Sequence, residues 1–353
     1  MRTNKKSAAN HLHRRRIENC QRGLVTALVC MLGAPIWFTP LRAIGEAVTD
    51  ELQPEVPAWV FPLNPPVPAS GAPYDDAKQL HVPNSKLAFT EAQLNDLFAA
   101  PDWHPDSHAA MPSVVSRGNS PEVYACGFCH TPGGQGRPEN ASLAGLPAPY
   151  IIQQVADFKS GTRKSAWHAP YRPADLMIRV ATHATADEVA AAAQYFSAQQ
   201  LRPRVVVVER SRVPQSHVVG WVYVEDGRGG DEPLGERLLE FAPDASRHEN
   251  RDDEMRYIAY VPAGSIGRGK SISQSGSIGL TVACMSCHGP SLRGTGLVPP
   301  IAGRSPTYIL RQLLAFQTGA RAGVTGQPMS AVVAKLKTRN MIDVAAYAAS
   351  LPP

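Results

Sequence analysis

The chain has no cysteine to spare for a disulfide framework. Of its six cysteines, Cys20 and Cys30 fall in an N-terminal stretch, and Cys126, Cys129, Cys284 and Cys287 all lie in two short motifs. A small scaffold stapled by bridges spread along its length is therefore excluded. The N-terminal apolar stretch, Leu24 to Phe38, is interrupted by Gly33 and Pro35 and falls short of the about 20 residues of a membrane span. There is no short tandem period, which excludes a solenoid. Nor is there much net charge outside the N-terminus. Residues 1–43 hold eight basic residues and one acid, so the formal +5 becomes −2 without them. The basic total thus gives no ground for a nucleic-acid partner, and the near-neutral remainder none for strong global steering.

What is present fits a globular chain. The 353 residues suffice for two domains, and the 43% hydrophobic and 18% charged fractions are ordinary. The basic lead to Arg22, the apolar stretch after it and a cleavage point at Ala43 read as an export signal, with a retained N-terminal anchor as the alternative. The expected location is the periplasm.

CGFCH at 126–130 and CMSCH at 284–288 are the informative segments. Closely spaced cysteines serve three chemistries. A thiol-redox motif needs an activated thiolate, and structural zinc needs four ligands. Covalent c-type haem needs two thiols for thioether bonds and an adjacent histidine for the iron, and CxxCH is the spacing for that attachment. One helical turn brings both sulfurs to one edge of a macrocycle, and the next residue then reaches the metal.

The surroundings of the motifs recur. With His130 laid on His288, Tyr150 falls on Tyr308, Phe158 on Phe316 and Arg163 on Arg321. Beyond six extra residues in the first copy, Met177 falls on Met329 and Tyr195 on Tyr347. Ile151, Val155 and Phe158, like Ile309, Leu313 and Phe316, have helical i, i+4, i+7 spacing. Each such stripe can cover a core or a flat ligand. The alanine-rich segments around Tyr195 and Tyr347 are helical by propensity, with each methionine at the start of that last helical segment. Ser120-Pro121-Glu122 predicts a helix leading into CGFCH. Met111 and Met341 read as packing residues, and His168 and His183 as surface residues that compete with Met177.

These residues resemble the two-domain, dihaem class I c-type cytochromes of the bacterial periplasm. The shared pattern is CxxCH, an LAG or IAG turn (Leu143-Ala144-Gly145, Ile301-Ala302-Gly303), a YIxxQ helix, an F-x-x-G-x-R exit, a methionine and a closing AAxY helix. It spans residues 120–200 and 265–351. The resemblance implies a mainly α fold and two covalent haem c groups, held by Cys126, Cys129, Cys284 and Cys287. His130 and His288 would be the proximal ligands, with Met177 and Met329 distal. Family members carry a proline whose carbonyl orients the proximal histidine. Pro299 occupies that place in the second copy and Ala141 in the first.

The predicted organisation is an export signal or anchor at 1–43 and a Pro-rich extended tether at 44–85. A first cytochrome domain at 86–202 and a second at 263–353 flank a β-rich insertion at 203–262. Strands are predicted at 205–208, 218–224 and 256–262, with a turn at 225–231. Thr90 to Gln93 reads as a capping box for a helix through Leu97. His104 and His108 read as part of an irregular surface loop.

With protein ligands on both faces, iron changes oxidation state without binding substrate, so the expected function is single-electron transfer between periplasmic or membrane-bound redox proteins: a dehydrogenase donor, and an oxidase or other acceptor. An uncleaved N-terminus would add membrane contact. The alternatives are a dihaem peroxidase or the cytochrome subunit of a dehydrogenase, and, outside haem chemistry, a zinc or thiol-redox module.

Overall fold

Helix signals and strand signals alternate along this chain in blocks, and a computed structural model shows where each block goes. It describes residues 55–65 and 76–353. Cys20, Cys30, the apolar stretch and Ala43 lie outside the described residues. The described residues belong to one compact unit.

The first helical lobe opens with the short strands β1 (Gln79–Leu80) and β2 (Phe89–Thr90), which pair antiparallel. Thr90 then caps α1 (Glu91–Asn95), and the capping box is complete, with the Gln93 side chain accepting from the Thr90 N–H at 2.8 Å. The helix stops two residues short of the predicted Leu97. After α2 (Ser113–Ser116) come α3 (Cys126–His130), α4 (Ala148–Lys159), α5 (Arg172–His183) and α6 (Ala186–Ser197). α4 packs on both α5 and α6. Thr185 caps α6 with a second capping box, so Met177 sits inside a separate helix and not at the start of the last one.

Residues 205–261 supply the strands. β3 (Val205–Glu209), β4 (Arg212–Pro214), β5 (Ser216–Val219), β6 (Val222–Glu225), β7 (Asp231–Pro233) and β8 (Leu239–Phe241) are followed by α7 (Ala245–Glu249) and β9 (Tyr257–Val261). Five of these strands form one sheet in the order β3-β9-β8-β6-β5, with β3 parallel to β9 from Val205↔Tyr257 to Glu209↔Val261. The single strand expected at 218–224 is a hairpin. Gly220 and Trp221 both take positive φ, 57° and 64°, the conformation a two-residue hairpin turn requires.

The second lobe holds α8 (Ser265–Ser275), α9 (Met285–His288), α10 (Pro306–Gln317), α11 (Gln327–Val333) and α12 (Thr338–Ser350). α12 is the centre of the main core, where Met341, Ala345 and Ala346 are fully buried. α8 crosses it so closely that a Cβ on Gly269 would lie 1.9 Å from the Asp343 carbonyl oxygen. Arg268 fixes the crossing with hydrogen bonds of 2.8 and 2.9 Å to the Asp343 carboxylate. Among the described residues no helix is long and apolar enough to cross a membrane.

The described part of the Pro-rich segment is no loose tether. Val60 (0% exposed) and Phe61 (3%) enter the main core. Phe61 packs on Trp167 and Tyr171, and the Val60 carbonyl accepts a 2.7 Å bond from Arg311. Two large apolar side chains in the segment outweigh the extended bias of its prolines. Residues 120–124 also depart from expectation. No helix leads into CGFCH; Asn119 and Val123 close a turn with bonds of 2.7 and 2.9 Å.

At the α8–α12 crossing, Gly269→Val forces the helices apart. The expected loss is about 1–3 kcal/mol of stability or more, read as a drop in the thermal midpoint of the protein; an unchanged midpoint contradicts the crossing.

Candidate functional site

Each CxxCH helix is entered and left by the same backbone devices. Gly118 (φ 65°) precedes the Asn119–Val123 turn and Gly276 (φ 68°) the Ser277–Thr281 turn. A Cβ on Gly118 would lie 2.1 Å from the Val123 carbonyl oxygen, so no other residue fits there without a shift. The helices end on residues of positive φ, Thr131 (62°) and Gly289 (75°). The chain then returns. Gly136 N–H donates to the His130 carbonyl at 2.9 Å, and Gly294 N–H to the His288 carbonyl at 2.7 Å.

That return places an acceptor under each imidazole. His130 Nδ1 is 2.8 Å from the Ala141 carbonyl oxygen, and His288 Nδ1 is 2.9 Å from that of Pro299. In each, Nδ1–H donates, the ring orientation is set, and Nε2 keeps its lone pair for a metal. The alanine at 141 serves as well as the proline because the contact uses only the carbonyl. Burial pushes both imidazoles below their ordinary pKa, against the opposing effect of these bonds, which favours the neutral form that ligates.

All four cysteines are free thiols. Burial pushes Cys126 up to about 12 and also raises Cys129 and Cys284, the opposite of an activated redox thiolate. Four-ligand zinc is not assembled either. Among the described residues, the only three His, Cys, Asp or Glu side chains with ligating atoms within 4.8 Å of one another are His104, Asp252 and Asp253. Asp252 is already bonded to Arg247 at 2.6 Å, and Asp253 to Arg202 at 2.7 Å. Free thiol pairs beside a fixed imidazole with an open Nε2 suit covalent haem.

The structure treats the two methionines differently. Met329, on α11, packs against the apolar cluster that also receives Cys284. Met177 is half-buried on α5 and is not in the cluster that receives Cys126. His168 is exposed against Trp167, and His183 is exposed at the end of α5. Met341 is core, and Met111 packs beside Cys126's cluster. In the His104–His108 segment Pro105 to Ser107 are exposed, as a surface loop requires, but the two histidines turn inward. Their side chains are 8% and 4% exposed, bonded to Asp252 and to Asp102, and Tyr195 meets His108 at 3.1 Å.

Sequence reasoning noted Arg163 and Arg321 as matching positions but missed what they join. Arg163 donates to Tyr308 Oη and Gln312 Oε1 of the second lobe, both at 2.9 Å. Arg321 reciprocates to Tyr150 Oη at 2.8 Å and Gln154 Oε1 at 2.6 Å. The backbones join at Lys164 N–H to the Ala320 carbonyl and Ala322 N–H to the Thr162 carbonyl, both 2.7 Å. Neither guanidinium meets a carboxylate among the described residues. Burial lowers the Arg163 pKa, and Arg321 lowers it further. Burial alone would raise Tyr150, but Arg321 and Arg163 outweigh it and lower its pKa. The signal was the matched arginine itself, at the exit of each YIxxQ helix.

The loops after the two histidines are in opposite environments. Residues 131–139 are all buried, whereas between 289 and 297 only Gly289 and Leu292 are. In the first loop Arg137 and Glu139 form a 2.6 Å ion pair, both about 5% exposed. Arg204 donates to the Gly136 carbonyl at 2.8 Å, and His248 Nε2 lies 3.1 Å from Arg137. Arg251 stacks 3.7 Å from the ring centroid of Phe128, inside CGFCH.

Similarity to known proteins agrees with this geometry. The chain is 27% identical over 264 residues to a thiosulfate dehydrogenase electron acceptor of Thiomonas intermedia (strain K12), covering 74% of this chain and 89% of the relative. It is 23% identical over 245 residues to cytochrome c4 of Azotobacter vinelandii, covering 68% and 90%. It is 33% identical over 97 residues to cytochrome c-554(547) of Halothiobacillus neapolitanus, which spans 25% of this chain and 99% of that relative. No family model matches. The chain belongs to the class I c-type cytochromes. Within that class it is a two-domain, dihaem electron carrier.

Glu139→Gln leaves Arg137 buried and unpaired, and is expected to cost about 3–5 kcal/mol. Leu297→Ala, at the matching but exposed position, is expected to change stability by no more than about 0.5 kcal/mol. Denaturant unfolding of the haem-loaded protein measures both, and equal effects contradict the different environments.

Proposed function

We propose that this cytochrome is a periplasmic electron acceptor for a dehydrogenase, relaying single electrons onward through two haems of His/Met ligation. Cys126 and Cys129 would hold the first haem, with His130 and Met177 as ligands. Cys284 and Cys287 would hold the second, with His288 and Met329. The observation that carries this reading is the pair of carbonyl contacts under His130 and His288, which engage Nδ1 and leave Nε2 of each ring open.

When bound, haem supplies a reversible one-electron change at iron, and methionine sulfur favours the reduced state. The protein's part is to keep each imidazole neutral and oriented, and to surround the site with apolar side chains. For the second haem, Met329 comes from the same apolar cluster as Cys284. The cations Arg163, Arg321 and Arg304 are buried, and none pairs with a carboxylate among the described residues. Such uncompensated positive charge between the lobes suits the anionic propionates that two haems bring.

The strands at 205–261 act on this reading as an insertion that braces the domains. Arg204 and Arg251 hold the first CxxCH loop, while β3 and β9 lie against α12 of the second lobe. The dehydrogenase donor follows the Thiomonas relative, described as an electron acceptor of thiosulfate dehydrogenase. The periplasmic location rests on the export signal read at residues 1–43.

Spectra of the haem-loaded protein titrated against potential test the ligation. Met329→Ala is expected to abolish the sulfur-to-iron absorption band of one haem and to lower its midpoint potential by on the order of 100 mV, within the about 0.8 V that axial ligands span. Met177→Ala is expected to do the same to the other. A band of full intensity in either variant removes that methionine from the ligand set.

A further inference from the structure

One buried histidine of the first lobe takes no part in the sites at His130 and Met177. The His108 side chain is 4% exposed, and both of its ring nitrogens face oxygen. Nε2 lies 3.1 Å from Asp102 Oδ1. Nδ1 lies 2.9 Å from the Ala109 carbonyl oxygen and 3.1 Å from Tyr195 Oη. Carboxylate and carbonyl oxygens only accept, so a ring that donates from both nitrogens satisfies both sides, and that ring is the imidazolium. A neutral ring sets one nitrogen lone pair against oxygen.

Tyr195 ties this ring to the loop that follows His130. Its hydroxyl donates to the Pro132 carbonyl at 2.9 Å and presents a lone pair to His108 Nδ1–H. The next residue, Phe196, stands edge-on to the His130 imidazole, with ring centroids 6.3 Å apart. The hydroxyl has one proton to give. If Nδ1 is deprotonated, turning that proton toward it releases the Pro132 carbonyl. The Asp102 bond raises the His108 pKa above its ordinary value, against burial, and the Ala109 carbonyl and Asp253 act in the same direction as Asp102. Asp253 is itself paired with Arg202 at 2.7 Å, and Asp102, 22% exposed, opens the cluster to solvent. The second lobe has no counterpart. His288 is the only histidine of residues 263–353, and Pro290, at the place of the buried Pro132, is exposed.

We propose that the chain Asp102–His108–Tyr195 couples electron uptake at the first haem to proton uptake at His108. This rests on the reading of His130 as a ligand of that haem. A positive charge near the iron favours its reduced state, so reduction in turn favours the imidazolium. One electron enters at the iron from the redox partner, and up to one proton enters from water onto Nδ1. No covalent bond of the protein other than that N–H forms or breaks. In the same step the Tyr195 hydroxyl turns back to the Pro132 carbonyl. His108 is thus a positioning residue, acting on the centre through Tyr195 and the loop after His130. The midpoint potential of the first haem is highest with the proton on, and falls as pH rises through a value above 6.5.

Redox titration of the haem-loaded protein from about pH 5 to about pH 9, a range that brackets a raised imidazole, tests the coupling. The two midpoints are assigned by which of them Met177→Ala and Met329→Ala shift. The reduction equilibrium of the first haem is expected to weaken about three- to tenfold across the step, the size one charge gives at an effective dielectric constant of about 20. Tenfold is about 59 mV for one electron. The second haem is expected to show no such step. His108→Gln should abolish the step and hold the first midpoint at its high-pH value. Asp102→Asn should move the step to lower pH, because it removes the carboxylate that favours the cation. Tyr195→Phe should shrink it, and a step of undiminished size there overturns the path through Tyr195. Haem content and thermal midpoint are read for every variant, and if His108→Gln fails to load, Asp102→Asn decides. A full step in His108→Gln, or an unmoved one in Asp102→Asn, overturns the coupling. So do equal steps at both haems, which belong to a shared group. Intact sulfur-to-iron bands at both haems with no step overturn the coupling alone. A chain without covalent haem at Cys126 and Cys129 removes the ligand reading at His130, and the coupling with it.

Discussion

A backbone carbonyl under the imidazole of each CxxCH motif is the contact on which the rest of this molecule depends. A histidine whose Nδ1–H is not engaged is free to rotate and to choose its tautomer, and iron ligation then competes with that freedom. Here the Ala141 and Pro299 carbonyls remove it at 2.8 and 2.9 Å. To bring a carbonyl eleven residues downstream beneath the ring, the chain must reverse sharply after each histidine. The positive φ angles at Thr131 and Gly289, and the returning N–H groups of Gly136 and Gly294, accomplish that reversal. The CxxCH spacing alone would put sulfur and imidazole near one another. The loop gives the imidazole a fixed direction.

The second constraint is charge. Arg163 and Arg321 face each other across the lobes with only phenol and amide oxygens as acceptors. Two buried guanidiniums together would repel and would be costly to desolvate. Their geometry is reciprocal, each reaching the tyrosine and glutamine of the opposite helix, so the lobes share one polar seam. A dihaem carrier brings four propionate groups, and a seam with surplus positive charge is the kind of place where carboxylates lower the cost of those cations.

Much of this was legible in the sequence because covalent chemistry tolerates little variation in spacing. The two CxxCH motifs, the matched tyrosines and arginines and the helical stripes could all be read from residue types and offsets. What escaped has physical causes. Trp221 at positive φ has no sequence signature, so the hairpin at 220–221 read as one strand. Ser120-Pro121-Glu122 carries the marks of a helix start, yet the bonds between Asn119 and Val123 hold the chain in a turn. The Pro-rich segment read as a tether because prolines dominate its composition, although Val60 and Phe61 decide its place by burial. His104 and His108 looked like surface residues because their partners, Asp252 and Tyr195, are distant in sequence.

The two units differ less in their backbone devices than in what surrounds them. In a protein built from two similar units, selection can alter one unit's surroundings without altering its core. Around the first CxxCH helix, the segment between the lobes contributes Arg204, His248 and Arg251, and residues 131–139 of the following loop are all buried. Around the second, the matching loop ends in exposed Leu297, and the only acid of the lobe is hidden against Arg268. The same backbone device thus supports one CxxCH loop enclosed by protein and one left largely exposed.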